Sequence, residues 1–84
     1  MPTVRVLYFA AAREASNTSE ESIELPETAG TSDLISLLVA RHPKLQSVLN
    51  SCILALNQEY LSQGQHMMLK DKDEVAIIPP LSGG

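Results

Sequence analysis

The residues best suited to chemistry lie in the segment Pro79-Pro80-Leu81-Ser82-Gly83-Gly84, which follows a run of β-branched residues. Both prolines fix φ at about −65° and lack an N–H donor, so strand pairing must end where they begin. The two glycines have no Cβ, so they can thread a narrow channel and expose the carboxylate of Gly84 to close approach. At ~3.3 Å per residue, residues 80–84 span about 16 Å. We therefore expect a tail that the prolines hold rigidly away from the sheet and that reaches into another protein.

A carboxylate at the end of such a tail needs activation before it can react. It is a poor electrophile at neutral pH, but adenylation by ATP converts it into an activated acyl group. A sulfur donor can then displace AMP and leave a thiocarboxylate, whose sulfur is a soft nucleophile that stays covalently held. Alternatively, a lysine amine can take the acyl group, which makes the chain a protein tag. An inert, flexible chain end is the third interpretation of the same residues.

Other nucleophiles and ligand types in the sequence are weaker candidates. Cys52 precedes the apolar pair Ile53-Leu54, which predicts a buried, structural thiol. His42 and His66 do not stand at zinc-ligand spacing from any cysteine, so we expect no metal site. No glycine-rich phosphate loop is present, so we expect this chain to bind no cofactor directly. The ATP would be bound and used by a separate activating enzyme.

Composition limits the class of protein. The 84 residues carry a net charge of −4 and are 44% hydrophobic and 19% charged, which is typical of one globular domain. Acidic surfaces repel phosphate backbones, so we expect no nucleic-acid partner and no basic membrane patch. One cysteine cannot form an internal disulfide, and neither a signal peptide nor a membrane-length apolar run is present. We expect a cytosolic protein.

The hydrophobic pattern predicts a sheet with helical segments. Strands are expected at residues 3–9, 22–25, 53–56, 60–61 and 74–78, and helical segments at 10–15, between Thr31 and Pro43, and at 44–50. Thr31 or Ser32 is expected to cap the main helix, and Pro43 to end it. The first and last strands are the most apolar, so they should lie together in the middle of the sheet. The order of elements predicts an α+β domain over residues 1–79, with one main helix on one face of the sheet.

Three segments together resemble a known family, the molybdopterin synthase small (sulfur-carrier) subunits, also called MoaD-like proteins. They are Val6-Leu7-Tyr8-Phe9-Ala10 with Arg13-Glu14, then Asn57-Gln58-Glu59-Tyr60, then residues 73–84. The resemblance covers nearly the whole chain in matching order, and the last twelve residues are its most specific part. It implies a ubiquitin-like β-grasp fold with a mixed sheet.

The resemblance also implies a reaction and its partners. An adenylyltransferase of the ubiquitin-activating type would adenylate Gly84 and convert it to a thiocarboxylate. The loaded tail would enter the large subunit and give its sulfur to cyclic pyranopterin monophosphate, in a heterotetramer of two small and two large subunits. Each conversion would consume two loaded carriers.

By position, the resemblance assigns roles to seven residues. Gly84 would bear the sulfur and Gly83 would thread the channel, and the partner-binding residues would be Pro80, Leu81, Ser82, Phe9 and Arg13. Two of these have simpler interpretations, because Phe9 could be a core aromatic and Arg13 a solvated helix charge. Ile78 departs mildly from relatives that carry an aromatic there. A ubiquitin-like modifier and a carrier for another sulfur pathway, such as that of thiamin, remain alternative functions.

Overall fold

The computed structural model describes residues 1–62 and 64–79, which form a five-stranded sheet and three helices. The strands are β1 (Thr3–Tyr8), β2 (Glu20–Glu24), β3 (Ile53–Leu56), β4 (Glu59–Tyr60) and β5 (Glu74–Ile78). The helices are α1 (Ala10–Ser16), α2 (Thr31–Arg41) and α3 (Leu45–Leu49). The expected tail at 80–84 lies outside the described residues, so the division of the chain after residue 79 stays a prediction.

The first and last strands are neighbours at the centre of the sheet, as the apolar pattern predicted. The order is β2-β1-β5-β3-β4; β1 and β5 run parallel, and the other pairs are antiparallel. Tyr8 is the Cα partner of Ile77, and Ile78 is the partner of Ile53. The C-terminal ends of β1 and β5 and the N-terminal end of β3 therefore lie side by side.

One face of this mixed sheet carries the core. Alternate residues of β1 and β5 are buried there beneath α2, because successive side chains of a strand point to opposite faces. The core side chains that are fully buried include Val4, Val6, Tyr8, Val75 and Ile77 from the sheet and Leu34 and Leu38 from α2. Burying one such side chain contributes about 1.5–3 kcal/mol. This arrangement confirms the β-grasp architecture with one main helix on one face.

The start of α2 differs from the expected cap. Gly30 is the N-cap and Thr31 is already helical, while the Asp33 carboxylate accepts the Gly30 N–H at 2.9 Å. The Thr31 hydroxyl serves another contact, since it accepts the Met67 N–H at 3.1 Å. A Cβ at position 30 would lie 2.9 Å from the Met67 carbonyl oxygen and closer still to the exposed His66 ring, so one of these groups would have to shift. The crowding at Gly30 comes from His66 and Met67, which are distant in sequence, so local capping rules do not predict it.

Within the described ranges, no helix has the combination of length and apolar character that crossing a bilayer requires.

Candidate functional site

The last residue that the structure describes is Pro79, which follows the end of β5. The backbone next to this exit is firmly held, because the Phe9 N–H donates to the Ile77 carbonyl at 3.2 Å. The Phe9 carbonyl accepts the N–H of Ala12 at 3.0 Å and of Arg13 at 3.4 Å, which turns the chain from β1 into α1. The segment between β1 and α1, which contains Phe9, is thus hydrogen-bonded directly to the end of β5.

Five of the residues assigned by resemblance, Pro80, Leu81, Ser82, Gly83 and Gly84, lie outside the described residues, and their roles stay predictions. The structure instead shows the body from which they depart. We call the described surface around Pro79 the tail root, meaning Phe9, Ile53, Ile78 and Pro79.

Phe9 is 46% exposed, so it is not the core aromatic that one interpretation allowed. It stands immediately after β1, at the point where β5 ends beside it. Ile53, opposite Ile78 on the next strand, is 44% exposed. Two large apolar side chains therefore flank the place where the chain leaves the fold, which is the position that a docking partner for the tail would cover.

Arg13 lies in α1, one helical turn beyond Phe9, and is exposed. Its guanidinium makes no ion pair with residues 1–62 or 64–79. The structure therefore leaves its charge available to solvent or to a partner, and its role as a contact stays a prediction.

The sheet face opposite α2 is apolar beside the tail root. The ladder register places Leu7, Ala76, Ala55 and Tyr60 in one row across the sheet, and Ile78 and Ile53 in the next. We call these six residues the open apolar face. Tyr60 is 75% exposed at its edge. Tyr60 belongs to the motif Asn57-Gln58-Glu59-Tyr60, but β4 has only two residues, so periodicity does not predict which way its side chain points.

Farther from the tail root, the same sheet face becomes charged. Arg5 lies between Glu20 and Glu74, at 3.8 and 3.9 Å from their carboxylates. These pairs are solvent-exposed, so they contribute roughly 0–1 kcal/mol to stability. The face thus offers a partner an apolar region next to the tail and a charged border beyond it.

A polar network that local sequence patterns do not predict joins the end of β1 to β2 and to the end of α2. The Glu21 carboxylate accepts hydrogen bonds from the Tyr8 hydroxyl at 2.5 Å and from Arg41 at 3.0 Å, and it contacts His42 Nε2 at 2.7 Å. The rings of Tyr8 and His42 meet edge to face, with centroids 6.0 Å apart. The network ties β1 and β2 to the C-terminal end of α2.

The network shifts the pKa values of its acids in opposite directions. Burial of the Glu21 carboxyl acts to raise its pKa, but hydrogen bonds from Tyr8, His42 and Arg41 outweigh that effect and lower it. Burial, together with the hydrogen bond to Glu21 and its negative charge, raises the pKa of Tyr8. Glu21 lies two positions before the buried Ile23 on β2, so both side chains share the core-facing side of the strand. That spacing was the available signal that the Glu21 carboxylate must find donors.

Cys52 has the character expected of a structural thiol. Its Sγ donates to the Val48 carbonyl at 3.1 Å, and burial raises the pKa of the thiol. A protonated thiol is a weak nucleophile. Within residues 1–62 and 64–79, no three His, Cys, Asp or Glu side chains cluster closely enough to hold a metal ion.

The sequence matches the family model described as the ThiS family over residues 6–84. A relative from Chlamydomonas reinhardtii, named molybdopterin synthase sulfur carrier subunit, is 52% identical over 96% of this chain and 98% of its own length.

Solved structures confirm the fold. A putative molybdopterin converting factor, subunit 1, from Pyrococcus furiosus superposes with a TM-score of 0.83 at 35% identity, covering 96% of this chain and all of the other. The small archaeal modifier protein 1 from Methanosarcina acetivorans gives 0.83 at 30% identity, covering 100% and 98%. A complex of subunits 1 and 2 of the molybdopterin-converting factor from Helicobacter pylori gives 0.70 at 23% identity, covering 98% and 99%, which shows the fold alone.

Proposed function

Because this chain belongs to the ThiS family, we propose that it is the sulfur-carrier subunit of a molybdopterin synthase and works in the cytosol. The name of the 52% identical relative, which aligns over nearly the full length of both chains, supports this assignment. The structural observation that carries it is the exposed Phe9 fastened to Ile77, which places an apolar contact surface at the tail root.

In this proposal the reactive group is the carboxylate of Gly84. The activating enzyme transfers AMP from ATP to that carboxylate and releases pyrophosphate. Sulfide supplied at the enzyme then attacks the acyl carbon, so a C–S bond forms, the C–O bond to AMP breaks, and a thiocarboxylate remains. The carrier itself needs no nucleotide site, since ATP is bound and used by the activating enzyme.

The second half of the proposal concerns delivery. The loaded tail enters the large subunit, and the thiocarboxylate sulfur is transferred to cyclic pyranopterin monophosphate. Two sulfurs are needed for each product, so two loaded carriers are consumed, in keeping with a heterotetramer of two small and two large subunits. The carrier supplies the tail that bears the sulfur and the surface that the large subunit recognises, and the large subunit supplies the site of reaction.

Docking of the large subunit would use the open apolar face and Phe9. These residues adjoin the end of β5, so a partner that covers them lies next to the point where the tail begins. Aromatic and aliphatic side chains that lose water at the centre of an interface supply most binding energy. The charged border around Arg5 would remain at the rim, where it affects the rate of association more than affinity.

Intact-mass measurement tests the chemistry directly. Protein isolated from cells that contain the activating enzyme should gain the mass difference between sulfur and oxygen on its C-terminal glycine. A matched variant with one alanine added after Gly84 should keep the fold and lose both loading and conversion of the pterin. Pterin conversion that persists in this variant would contradict the proposal.

A protein modifier is the second candidate, since the Methanosarcina acetivorans structure with 30% identity is named a small archaeal modifier protein. In that case the activated Gly84 would pass to lysine amines of other proteins. Denaturing blots against this chain would then show covalent conjugates of higher mass. Those conjugates, formed without sulfur incorporation, would favour the modifier; free carrier with a thiocarboxylate favours the sulfur carrier.

A carrier role in thiamin synthesis uses the same loading chemistry, so mass alone does not separate it from the main proposal. Reconstitution does, because only a molybdopterin synthase large subunit should convert the pterin precursor with this carrier. Sulfur transfer to a thiazole precursor, with none to the pterin, would replace the proposed pathway by that of thiamin.

A further inference from the structure

Tyr60 is presented by the most weakly supported strand of the sheet. β4 contains two residues and pairs with β3 only through Ala55 opposite Tyr60 and Leu56 opposite Glu59. Beyond it, the Leu61 N–H donates to the Leu54 carbonyl at 2.8 Å. A two-residue strand at a sheet edge has little pairing of its own, so another contact must keep this 75% exposed aromatic in place.

The turn between β3 and β4 has a demanding backbone. Asn57 and Gln58 have φ of 50° and 72°, so both central residues lie in the left-handed region. Two-residue hairpin turns of this kind match the twist of the flanking strands and favour asparagine or glycine at the first position. Backbone geometry accounts for a residue such as asparagine at 57, but glycine would satisfy it equally well.

The side chain of Asn57 adds contacts that glycine lacks. Its Nδ2 donates to Asp73 Oδ1 at 3.0 Å, and its Oδ1 accepts the Glu74 N–H at 2.9 Å. Its backbone N–H also donates to the Glu74 carbonyl at 2.8 Å. Three hydrogen bonds thus join the tip of the hairpin to the first residue of β5 and to the residue before it.

The anchor at the other end is itself well fixed. Asp73 Oδ2 accepts the Lys70 N–H at 2.8 Å, and the Asp73 carbonyl accepts the Arg5 N–H of β1 at 2.9 Å. The hairpin is therefore attached to the two central strands, and not only to its neighbour β3.

We propose that Asn57 is a positioning residue for partner docking, acting through Tyr60. This inference rests on the proposed function, in which the large subunit covers the open apolar face. By fixing the hairpin to β5, Asn57 holds Tyr60 in register with Ala55, in the row next to Ile53 and Ile78. An aromatic residue whose backbone is already fixed loses less conformational freedom on binding, and so gives a higher affinity for the same contact.

A double-mutant cycle with the purified large subunit tests this. Asn57→Gly keeps a residue suited to the turn and the backbone bond to Glu74, and removes the two side-chain hydrogen bonds. Titration calorimetry well below the unfolding temperature should give a Kd weakened by about three- to tenfold for Asn57→Gly and by about tenfold or more for Tyr60→Ala. In the Tyr60→Ala background, Asn57→Gly should weaken Kd no further, since the group it positions is gone.

Two further measurements separate positioning from a purely structural role. Asn17→Gly is the matched control, because Asn17 also has a positive φ, of 62°, but it caps α1 and leads into β2, the strand at the opposite edge of the sheet from β4. It should leave Kd unchanged. Hydrogen exchange at the Leu61 amide should speed up in Asn57→Gly, while exchange of core amides in β1 should not.

If the losses of binding free energy from Asn57→Gly and Tyr60→Ala were additive, or if Asn57→Gly left Kd unchanged, the positioning role would be overturned. The proposed function would remain intact. Failure of the wild-type protein to bind the large subunit would overturn both. Loss of affinity that vanishes with Tyr60 supports the inference.

Discussion

The hydroxyl of Tyr8 donates a 2.5 Å hydrogen bond to Glu21, which joins the last residue of β1 to the core-facing side of the edge strand β2. His42 and Arg41 contact the same carboxylate from the end of α2. A charged group therefore holds three elements together at the end of the core nearest Phe9. A partly buried carboxylate is stable there only because donors surround it.

Replacing Glu21 by Gln should destabilise the fold by about 1–3 kcal/mol, because the amide cannot accept charge-assisted hydrogen bonds and brings unwanted donors of its own. Urea unfolding of the variant and the wild type measures the difference. Glu20→Gln is the matched control on the same strand, where the carboxylate is exposed and lies 3.8 Å from Arg5. Equal losses for the two variants would contradict the role of the network.

The same carboxylate predicts a pH dependence in acid. Its pKa is lowered in the folded protein from an ordinary value of 4.5, so the unfolded chain binds the proton more readily. The stability that Glu21 contributes is present above pH 4.5 and is lost as pH falls through the lower folded pKa. The difference in unfolding free energy between wild type and Glu21→Gln should shrink over that window. A difference in unfolding free energy that did not depend on pH would argue against a lowered pKa of Glu21.

Tyr8 predicts a matching effect in base. Its pKa is raised above the ordinary value of 10.0, so the folded state favours the protonated hydroxyl. The stability it contributes is present below pH 10.0 and is lost as pH rises beyond that value, because the unfolded chain ionises first. Tyr8→Phe should have a flatter alkaline stability profile than the wild type in chemical unfolding. Identical profiles would show that the hydroxyl does not contribute.

Phe9→Ala should weaken binding of the large subunit by about 10- to 100-fold, while changing stability little, because the side chain is 46% exposed. Calorimetric titration gives the affinity, and thermal unfolding gives the stability. Met68→Ala removes a similarly exposed apolar side chain, 52% exposed, from the segment that pairs with Gly30, and should leave affinity unchanged. Comparable losses from both variants would indicate a non-specific effect of apolar surface.

Gly30→Ala should destabilise the fold by about 1–3 kcal/mol through crowding, not through backbone strain, since φ is −124°. The new Cβ would meet the His66 ring and lie 2.9 Å from the Met67 carbonyl. Urea unfolding measures the loss. His66→Ala should restore part of the stability in the double variant, and no restoration would place the clash at the Met67 backbone alone.

The sequence by itself determined the arrangement of the main elements. β-Branched and aromatic residues in 3–9 and a β-branched run in 74–78 predicted two strands. Their high apolar content predicted that they are central neighbours, which the β1–β5 pair confirms. Pro43 ended the main helix as expected, since proline acts on the residues next to it. These signals are local: periodicity and backbone restrictions operate over a few residues of chain.

Only the tertiary structure decided which distant residues meet. Glu21 contacts His42 across 21 positions of sequence, and Asn57 contacts Asp73 across 16. Likewise, the segment that contains His66 and Met67 comes close to Gly30, the N-cap of α2, from a distant part of the sequence. Such contacts depend on strand register and on the path of connecting segments, so no local pattern encodes them. The chain's pattern determined the layers, and the docking of those layers determined what surrounds the tail root.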